Sequence, residues 1–86
     1  MSLILPSWFN QRQGKTEAAG DNTYRLSAPN AKPALISIHR GDNGQWSAAL
    51  RLAEDGPVAA STEAEFSRPE EAWEAAFELY RRQVVV

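Results

Sequence analysis

The stretch from residue 66 to residue 82 constrains the fold more than any other, because its start, period and charged face all indicate one helix. Ser67 and Glu70 have the spacing of a capping box, and Pro69 stands at an early position where its missing N–H costs nothing. Apolar residues then recur at helical spacing: Ala72, Trp73, Ala76, Phe77, Leu79, Tyr80 and Val84. The sequence therefore predicts an amphipathic helix with one buried face.

Stretches before this helix show strand patterns. Alternation bounded by turn residues predicts strands over 23–28, 34–40, 45–52 and 58–66. Gly41-Asp42-Asn43-Gly44 is a hairpin signal, since Asn-Gly readily supplies the positive φ angles of a tight turn. The helix needs a sheet to cover its aromatic residues. We expect an α+β fold, an antiparallel sheet of three to four strands with one C-terminal helix on one face (ββββα, a two-layer sandwich).

The N-terminal part differs from the rest in composition. Residues 1–9 hold an apolar cluster with no regular period, and residues 10–22 are polar with glycine breakers. We expect residues 1–22 to be an apolar arm with a flexible connector that has no regular structure. Residues 23–86 are then a single α+β domain, and the chain has room for one modest core.

The two faces of the predicted sheet differ in character. One face is expected under the helix and carries Ile36, Ile38, Trp46, Leu50, Val58 and Phe66. We expect Trp46, Trp73 and Phe77 to form the centre of the core. The other face carries small and polar residues: Leu35, Ser37, His39, Ser47, Ala49, Arg51, Ala59, Ser61, Glu63 and Glu65. It is either a solvated face or a contact surface.

The apolar arm needs a place to dock. Trp8 and Phe9 carry large apolar surfaces of a kind that monomers seldom expose. We expect them to dock on the small-residue face around Ser47, Ala49 and Ala59 of the same chain, with a symmetric partner chain or another protein as the alternatives.

Composition limits the chemistry. The chain has no cysteine, which excludes disulfides, thiolate metal sites and cysteine nucleophiles, and His39 is its one histidine. The serines carry no activation motif, and the hairpin glycines are not followed by the lysine of a phosphate loop. We expect no enzyme, no metal and no cofactor.

Charge and the N-terminus indicate a compartment and a partner class. The net charge of -2 gives no bulk attraction for nucleic acid or an anionic membrane. The apolar run at 3–5 is short, lacks a basic lead and ends at Pro6, so a signal peptide is not indicated. A cytoplasmic protein is expected.

The last 50 residues, roughly, carry a resemblance. Gly44-Gln45-Trp46-Ser47-Ala48-Ala49-Leu50-Arg51, Asp55-Gly56, Phe66, Glu70-Glu71-Ala72, Ala75 and Ala76 resemble the core of the plant ethylene-response-factor DNA-binding domain. The plan is also similar to that of phage integrase arm-binding domains. The resemblance implies a three-stranded sheet with a helix, whose open face lies in the major groove.

The chain departs from that pattern at most contact positions. Arg51 matches a contact position, whereas Trp46 matches a core aromatic of the family. The basic first strand of the family is replaced by Leu35-Ile36-Ser37-Ile38, and its third by residues 58–65. Shared architecture does not carry function.

We therefore expect a small non-catalytic binding module, a monomer or homodimer, that contacts an unknown protein or itself through the open sheet face and the arm. The candidate interaction residues are Trp8, Phe9, Ser37, His39, Ser47, Ala49, Arg51 and Ser61. One alternative is sheet-mediated nucleic-acid binding through Arg25, Arg40 and Arg51. A second is an inhibitor whose acidic helix presents Glu70, Glu71, Glu74 and Glu78 as a DNA mimic.

Overall fold

A computed structural model of the chain describes residues 5–29, 31–53 and 56–83. Its elements, in chain order, are α1 (Ser7–Gln11), β1 (Lys15–Gly20), β2 (Thr23–Ala28), β3 (Ala31–Arg40), β4 (Trp46–Arg51), β5 (Val58–Ser61) and α2 (Pro69–Gln83). The strands form one antiparallel sheet in the order β1-β2-β3-β4-β5, and α2 packs against one face of it. The predicted α+β architecture is confirmed, with five strands in this sheet.

The predicted hairpin turn is present. Gly44 has a φ of +81°, which favours glycine, and it follows β3 where the Asn-Gly signal predicts a turn. Oδ1 of Asn43 accepts a hydrogen bond from the backbone N–H of Gln45 at 3.0 Å. The turn fixes the register in which Arg40 lies opposite Trp46.

We expected the connector over residues 10–22 to have no regular structure, and this is wrong. Residues 15–20 form β1, which pairs with β2 from Lys15↔Ser27 to Gly20↔Thr23. The sequence Lys-Thr-Glu-Ala-Ala-Gly has one β-branched residue and little apolar alternation, so pattern alone did not indicate a strand. Hydrogen bonding to the edge of β2 stabilises it instead.

The buried helix stripe is confirmed, although Leu79 is only partly buried. Ala72, Trp73, Ala76, Phe77 and Tyr80 are buried. They pack against buried residues of the sheet: Leu26, Ala34, Ile36, Ile38, Ala48 and Leu50. The predicted contribution of Val84 lies outside the described residues.

The arm docks in its own chain, but not on the face that we expected. Phe9, in α1, is fully buried, with its ring centroid 5.3 Å from that of Phe77 and 6.0 Å from that of Tyr80. Trp8 is partly buried and stacks on Tyr80 at 6.4 Å. The predicted docking around Ser47 and Ala49 is wrong, because the aromatic side of α2 offers more apolar area than small side chains do.

This docking changes the centre of the core. Trp73 is 5% exposed and Phe77 is 1% exposed, as predicted, but Trp46 is only partly buried. Phe9 and Tyr80, both fully buried, take the central role expected of Trp46.

The start of α2 differs in detail from the predicted capping box. The helix begins at Pro69, and the hydroxyl of Ser67 donates a hydrogen bond to Oε1 of Glu71 at 3.1 Å. Ser67 therefore bonds to the side chain of Glu71, whereas the capping box predicts Glu70 as its partner. A hydroxyl–carboxylate contact at the helix start still places negative charge near the positive end of the helix dipole.

Gly14→Ala tests how tightly α1 is held. A Cβ atom on Gly14 would lie 2.5 Å from Cε1 and Cζ of Phe9, whose fully buried ring packs against Phe77 and Tyr80. We expect Gly14→Ala to lower the free energy of unfolding by about 1 to 3 kcal/mol in a urea titration. In a Phe9→Ala background, Gly14→Ala should lower the free energy of unfolding much less. If the losses from the two substitutions simply add in the double variant, the clash is not the cause.

Tyr80→Phe tests a buried hydroxyl. Among the described residues, the Tyr80 hydroxyl has no hydrogen-bond partner, and burial raises the pKa of Tyr80 above its ordinary value of 10.0. We expect Tyr80→Phe to raise the free energy of unfolding at pH 7 by about 1 kcal/mol or more, because an unsatisfied buried group is removed.

The same variant should change the response to alkali. Tyrosine in the unfolded chain ionises near pH 10, whereas the buried phenol of Tyr80 resists ionisation, so the free energy of unfolding should fall as the pH rises above about 10. Tyr80→Phe should weaken this fall. Tyr24→Phe removes the same atom from a half-buried ring and is the control. An unchanged alkaline response in Tyr80→Phe would contradict the assignment.

Candidate interaction surface

The sheet has one face turned away from α2, which we call the open face. Cross-strand pairing assigns to it Lys15, Glu17, Thr23, Arg25, Ser27, Leu35, Ser37, His39, Ser47, Ala49, Arg51, Val58 and Ser61. These residues form rows across the strands, because directly paired residues point to the same side of an antiparallel sheet. None of the described helices covers this face.

Six of the predicted interaction residues share the open face. Ser37, Ala49 and Ser61 form one row, and His39 lies opposite Ser47 in the next. The sixth residue, Arg51, lies at the end of β4. Phe9 cannot belong to this surface, because it is fully buried, and Trp8 lies against Tyr80 on the other side of the sheet.

The predicted arginine cluster is only partly assembled. Arg25 and Arg51 are both paired with Leu35 on β3 and therefore lie in one row. Arg40 is paired with Trp46, which packs against the core, so Arg40 lies on the helix side of the sheet. The expectation that all three arginines share a neighbourhood is wrong for Arg40, because strand periodicity separates it from Leu35 by an odd number of residues.

Leu35 is the apolar centre of the open face. It is only 9% exposed, although no described helix covers its side of the sheet. Its direct neighbours are the long side chains of Arg25 and Arg51, whose methylene groups cover apolar surface while their charged ends reach water. Arg25 also forms an ion pair with Glu17, with 3.6 Å between Nη1 and Oε1.

Arg51 has an exposed apolar neighbour across the strands. Val58 lies opposite Arg51 and is 49% exposed. Leu52, which follows the end of β4, is 53% exposed, but no cross-strand pair assigns it to the open face. We predicted Val58 to face the helix, and this is wrong. The register shifts between Leu50 and Arg51, so a bulge moves Val58 to the open face.

Strand β5 ends at Ser61 rather than at residue 66. The side-chain oxygen of Thr62 accepts the hydrogen bond of the Ala48 backbone N–H at 2.9 Å, taking the place of a backbone carbonyl. Pairing resumes only at an isolated bridge between Trp46 and Phe66, and Phe66 is partly buried as predicted. The open face is therefore shorter along β5 than along β4.

A shallow hollow continues the open face at the end where β1 begins. It has a volume of about 280 Å³ and is lined by Gln13, Lys15, Ser27, Ala28 and Pro29. A neighbouring hollow of about 270 Å³ is lined by Gln11, Arg12, Gln13 and Pro29. Each hollow has one cationic side chain in its lining, Lys15 in the first and Arg12 in the second.

The acidic residues of α2 are partly neutralised. Glu78 contacts Arg81 at 3.0 Å and Arg82 at 3.9 Å, and Glu71 contacts Arg68 at 3.9 Å. Two of the four glutamates of the proposed DNA mimic therefore have arginine partners. This pairing weakens the resemblance of the row to a run of phosphates.

The described residues contain no cluster of three or more histidine, cysteine or acidic side chains that could hold a metal ion. In the same ranges, no helix is long and apolar enough to cross a membrane. No protein family, curated protein or solved structure matches the chain. The resemblance to the ethylene-response-factor domain stays a prediction.

Leu52→Ala and Leu50→Ala form a matched test of side-chain burial at the end of β4. Leu50 is fully buried, so its truncation should lower the free energy of unfolding by about 2 to 5 kcal/mol. Leu52 is half exposed, so the same substitution should change it by no more than about 0.5 kcal/mol. A large loss in Leu52→Ala, measured by urea titration, would show that Leu52 belongs to the core rather than to a surface.

Proposed function

We propose that this protein is a non-catalytic binding module that contacts another protein through the open face of its sheet. One observation carries the proposal: Val58, a large apolar side chain that is 49% exposed, lies opposite Arg51 on this face. An exposed apolar group beside an arginine is typical of the centre of a protein interface.

The rest of the face suits close contact. Ser37, Ala49 and Ser61 form a row of short side chains next to the row of Leu35 and Arg51. Short side chains let a partner approach the sheet closely, and they lose little conformational entropy when they are covered. A face of this kind supports the burial of a flat surface.

Nucleic-acid binding is the second candidate, and the shared row of Arg25 and Arg51 favours it. The aromatic residues weigh against it. Trp8, Tyr24 and Trp46 all pack against the core, so the imidazole of His39 is the only ring among the described open-face residues on which a base would stack. Protein contact agrees better with the exposed Val58 beside Arg51.

Ala49→Arg tests the proposed function. The substitution adds a long side chain at the middle of the open face without touching the core, whereas Ala49→Ser keeps the side chain small and is the control. We expect quantitative affinity capture from the source cells to recover a protein with the wild type and with Ala49→Ser, and to lose it with Ala49→Arg.

Two results would contradict the proposal. Capture of the same protein by Ala49→Arg would place the contact elsewhere, and recovery of no specific protein by the wild type would remove the binding role. In parallel, fluorescence anisotropy with duplex and single-stranded DNA at low salt tests the second candidate. Association that weakens steeply with salt would favour nucleic acid over protein.

A further inference from the structure

Residues 5–20, which we call the N-terminal segment, hold α1 and β1 and make contacts that a second copy of this chain could supply equally well. We propose that two copies exchange this segment, so that α1 and β1 of each copy pack on α2 and β2 of the other. The turn between β1 and β2 is the hinge. Exchange of an identical element is a low-cost route to a dimer, because the contacts of the closed chain form again between two chains.

The N-terminal segment is joined to its partners by one short turn, Asp21-Asn22. The ring centroid of Phe9 lies 5.3 Å from that of Phe77 and 6.0 Å from that of Tyr80, and β1 pairs with β2 along its length. Opening the turn releases the whole segment. The fully buried Phe9 then needs the aromatic side of α2, either in its own chain or in another.

The conformation of the turn favours opening. Asn22 has a φ of +52°, whereas Asp21, the first central residue, does not have a positive φ. The two-residue turns that match the twist of paired strands have positive φ at the first central residue or at both. The register between β1 and β2 also shifts between Ala18 and Gly20, beside the turn. The closed hairpin is therefore distorted at its hinge, and short hinge loops under strain favour exchange.

Strand β3 offers an edge along which the opened hinge can pair. The last pair between β2 and β3 is Thr23↔Ser37, whereas β3 continues to Arg40. The backbone N–H of Ile38 already donates a hydrogen bond to the carbonyl of Asn22 at 3.1 Å. The hinge thus begins to follow β3 even in the closed chain.

The exchanged dimer uses this edge of β3. With the hinge extended, β1 and β2 form one strand, and the register of β2 with β3 then pairs Asp21 with His39 and Gly20 with Arg40. The backbone hydrogen bonds of these pairs are additional to the contacts that exchange transfers from one chain to the other. In the closed chain the hinge residues form a turn, so the described pairing of β2 with β3 ends at Thr23.

Substitutions at the hinge test the exchange in opposite directions. Asn22→Gly removes the cost of a positive φ and should favour the closed monomer. Asn22→Val opposes a positive φ and suits an extended strand, so it should favour the dimer. Each variant is unfolded in urea and refolded at millimolar concentration, which matches the effective concentration that a short linker gives. By sedimentation equilibrium, we expect the dissociation constant of the dimer to be about tenfold or more lower in Asn22→Val than in Asn22→Gly, because each dimer has two hinges.

Gln13 provides the matched control. It also has a positive φ, of +59°, but it lies between α1 and β1 and therefore moves with the N-terminal segment. Gln13→Val should destabilise the monomer and the dimer alike and leave the dissociation constant nearly unchanged. A decrease as large as that in Asn22→Val would show that general destabilisation, and not the hinge, produces the dimer.

Engineered cysteines trap the exchanged form directly, because the chain has no cysteine of its own. Lys15 on β1 lies opposite Ser27 on β2. A Lys15→Cys chain and a Ser27→Cys chain are unfolded together, refolded at millimolar concentration and oxidised. Exchange brings the two cysteines of different chains into the geometry of a disulfide, which joins the chains on a non-reducing gel. A Ser37→Cys chain in place of Ser27→Cys is the control, since Ser37 lies on the same face but on β3, which is not next to β1.

Four results would overturn the inference: a wild-type chain that stays monomeric after refolding at millimolar concentration, equal dissociation constants in Asn22→Val and Asn22→Gly, no disulfide between the Lys15→Cys and Ser27→Cys chains, or equal cross-linking with Ser37→Cys. A dimer that Ala49→Arg abolishes would be formed by the open faces and would also overturn it. The cross-link uses the natural hinge, so it tests the exchange even if Asn22→Val does not fold. Exchange and the proposed function fail separately, because capture of another protein by the open face requires no dimer.

Discussion

Burial of the aromatic side of α2 is the constraint on which the rest of this structure depends. A single sheet with alanines at Ala34 and Ala48 does not cover Phe77 and Tyr80, and Phe9 supplies the missing apolar surface from the other end of the chain. Once α1 is held against α2, the next residues run back along the sheet as β1. The N-terminal segment is therefore an integral part of the packing, because buried aromatic area stabilises it at one end and strand hydrogen bonds stabilise it at the other.

The one-sided core explains the character of the open face. Since α2 covers only one side, the sheet places most of its branched and aromatic residues there. The other side carries Ser37, Ala49 and Ser61 in one row and Leu35, Arg51 and Val58 in the next. Val58 therefore stays half exposed on a face that no described helix covers.

Charges of both signs occur in both layers. Four glutamates lie on α2, where Arg81 and Arg82 contact Glu78, and the open face carries Lys15, Arg25 and Arg51 together with Glu17.

The sequence by itself determined α2, the hairpin at Gly44, the bounds of β2 and the presence of Ser37, Ala49 and Arg51 on one face, because capping, turn chemistry and strand alternation are local. Only the tertiary structure decided the rest. β1 exists because the edge of β2 was available, Phe9 is buried because α2 left aromatic surface uncovered, and Val58 faces outward because a bulge of one residue reverses the alternation. Each of these depends on contacts between distant parts of the chain, and no local pattern records them.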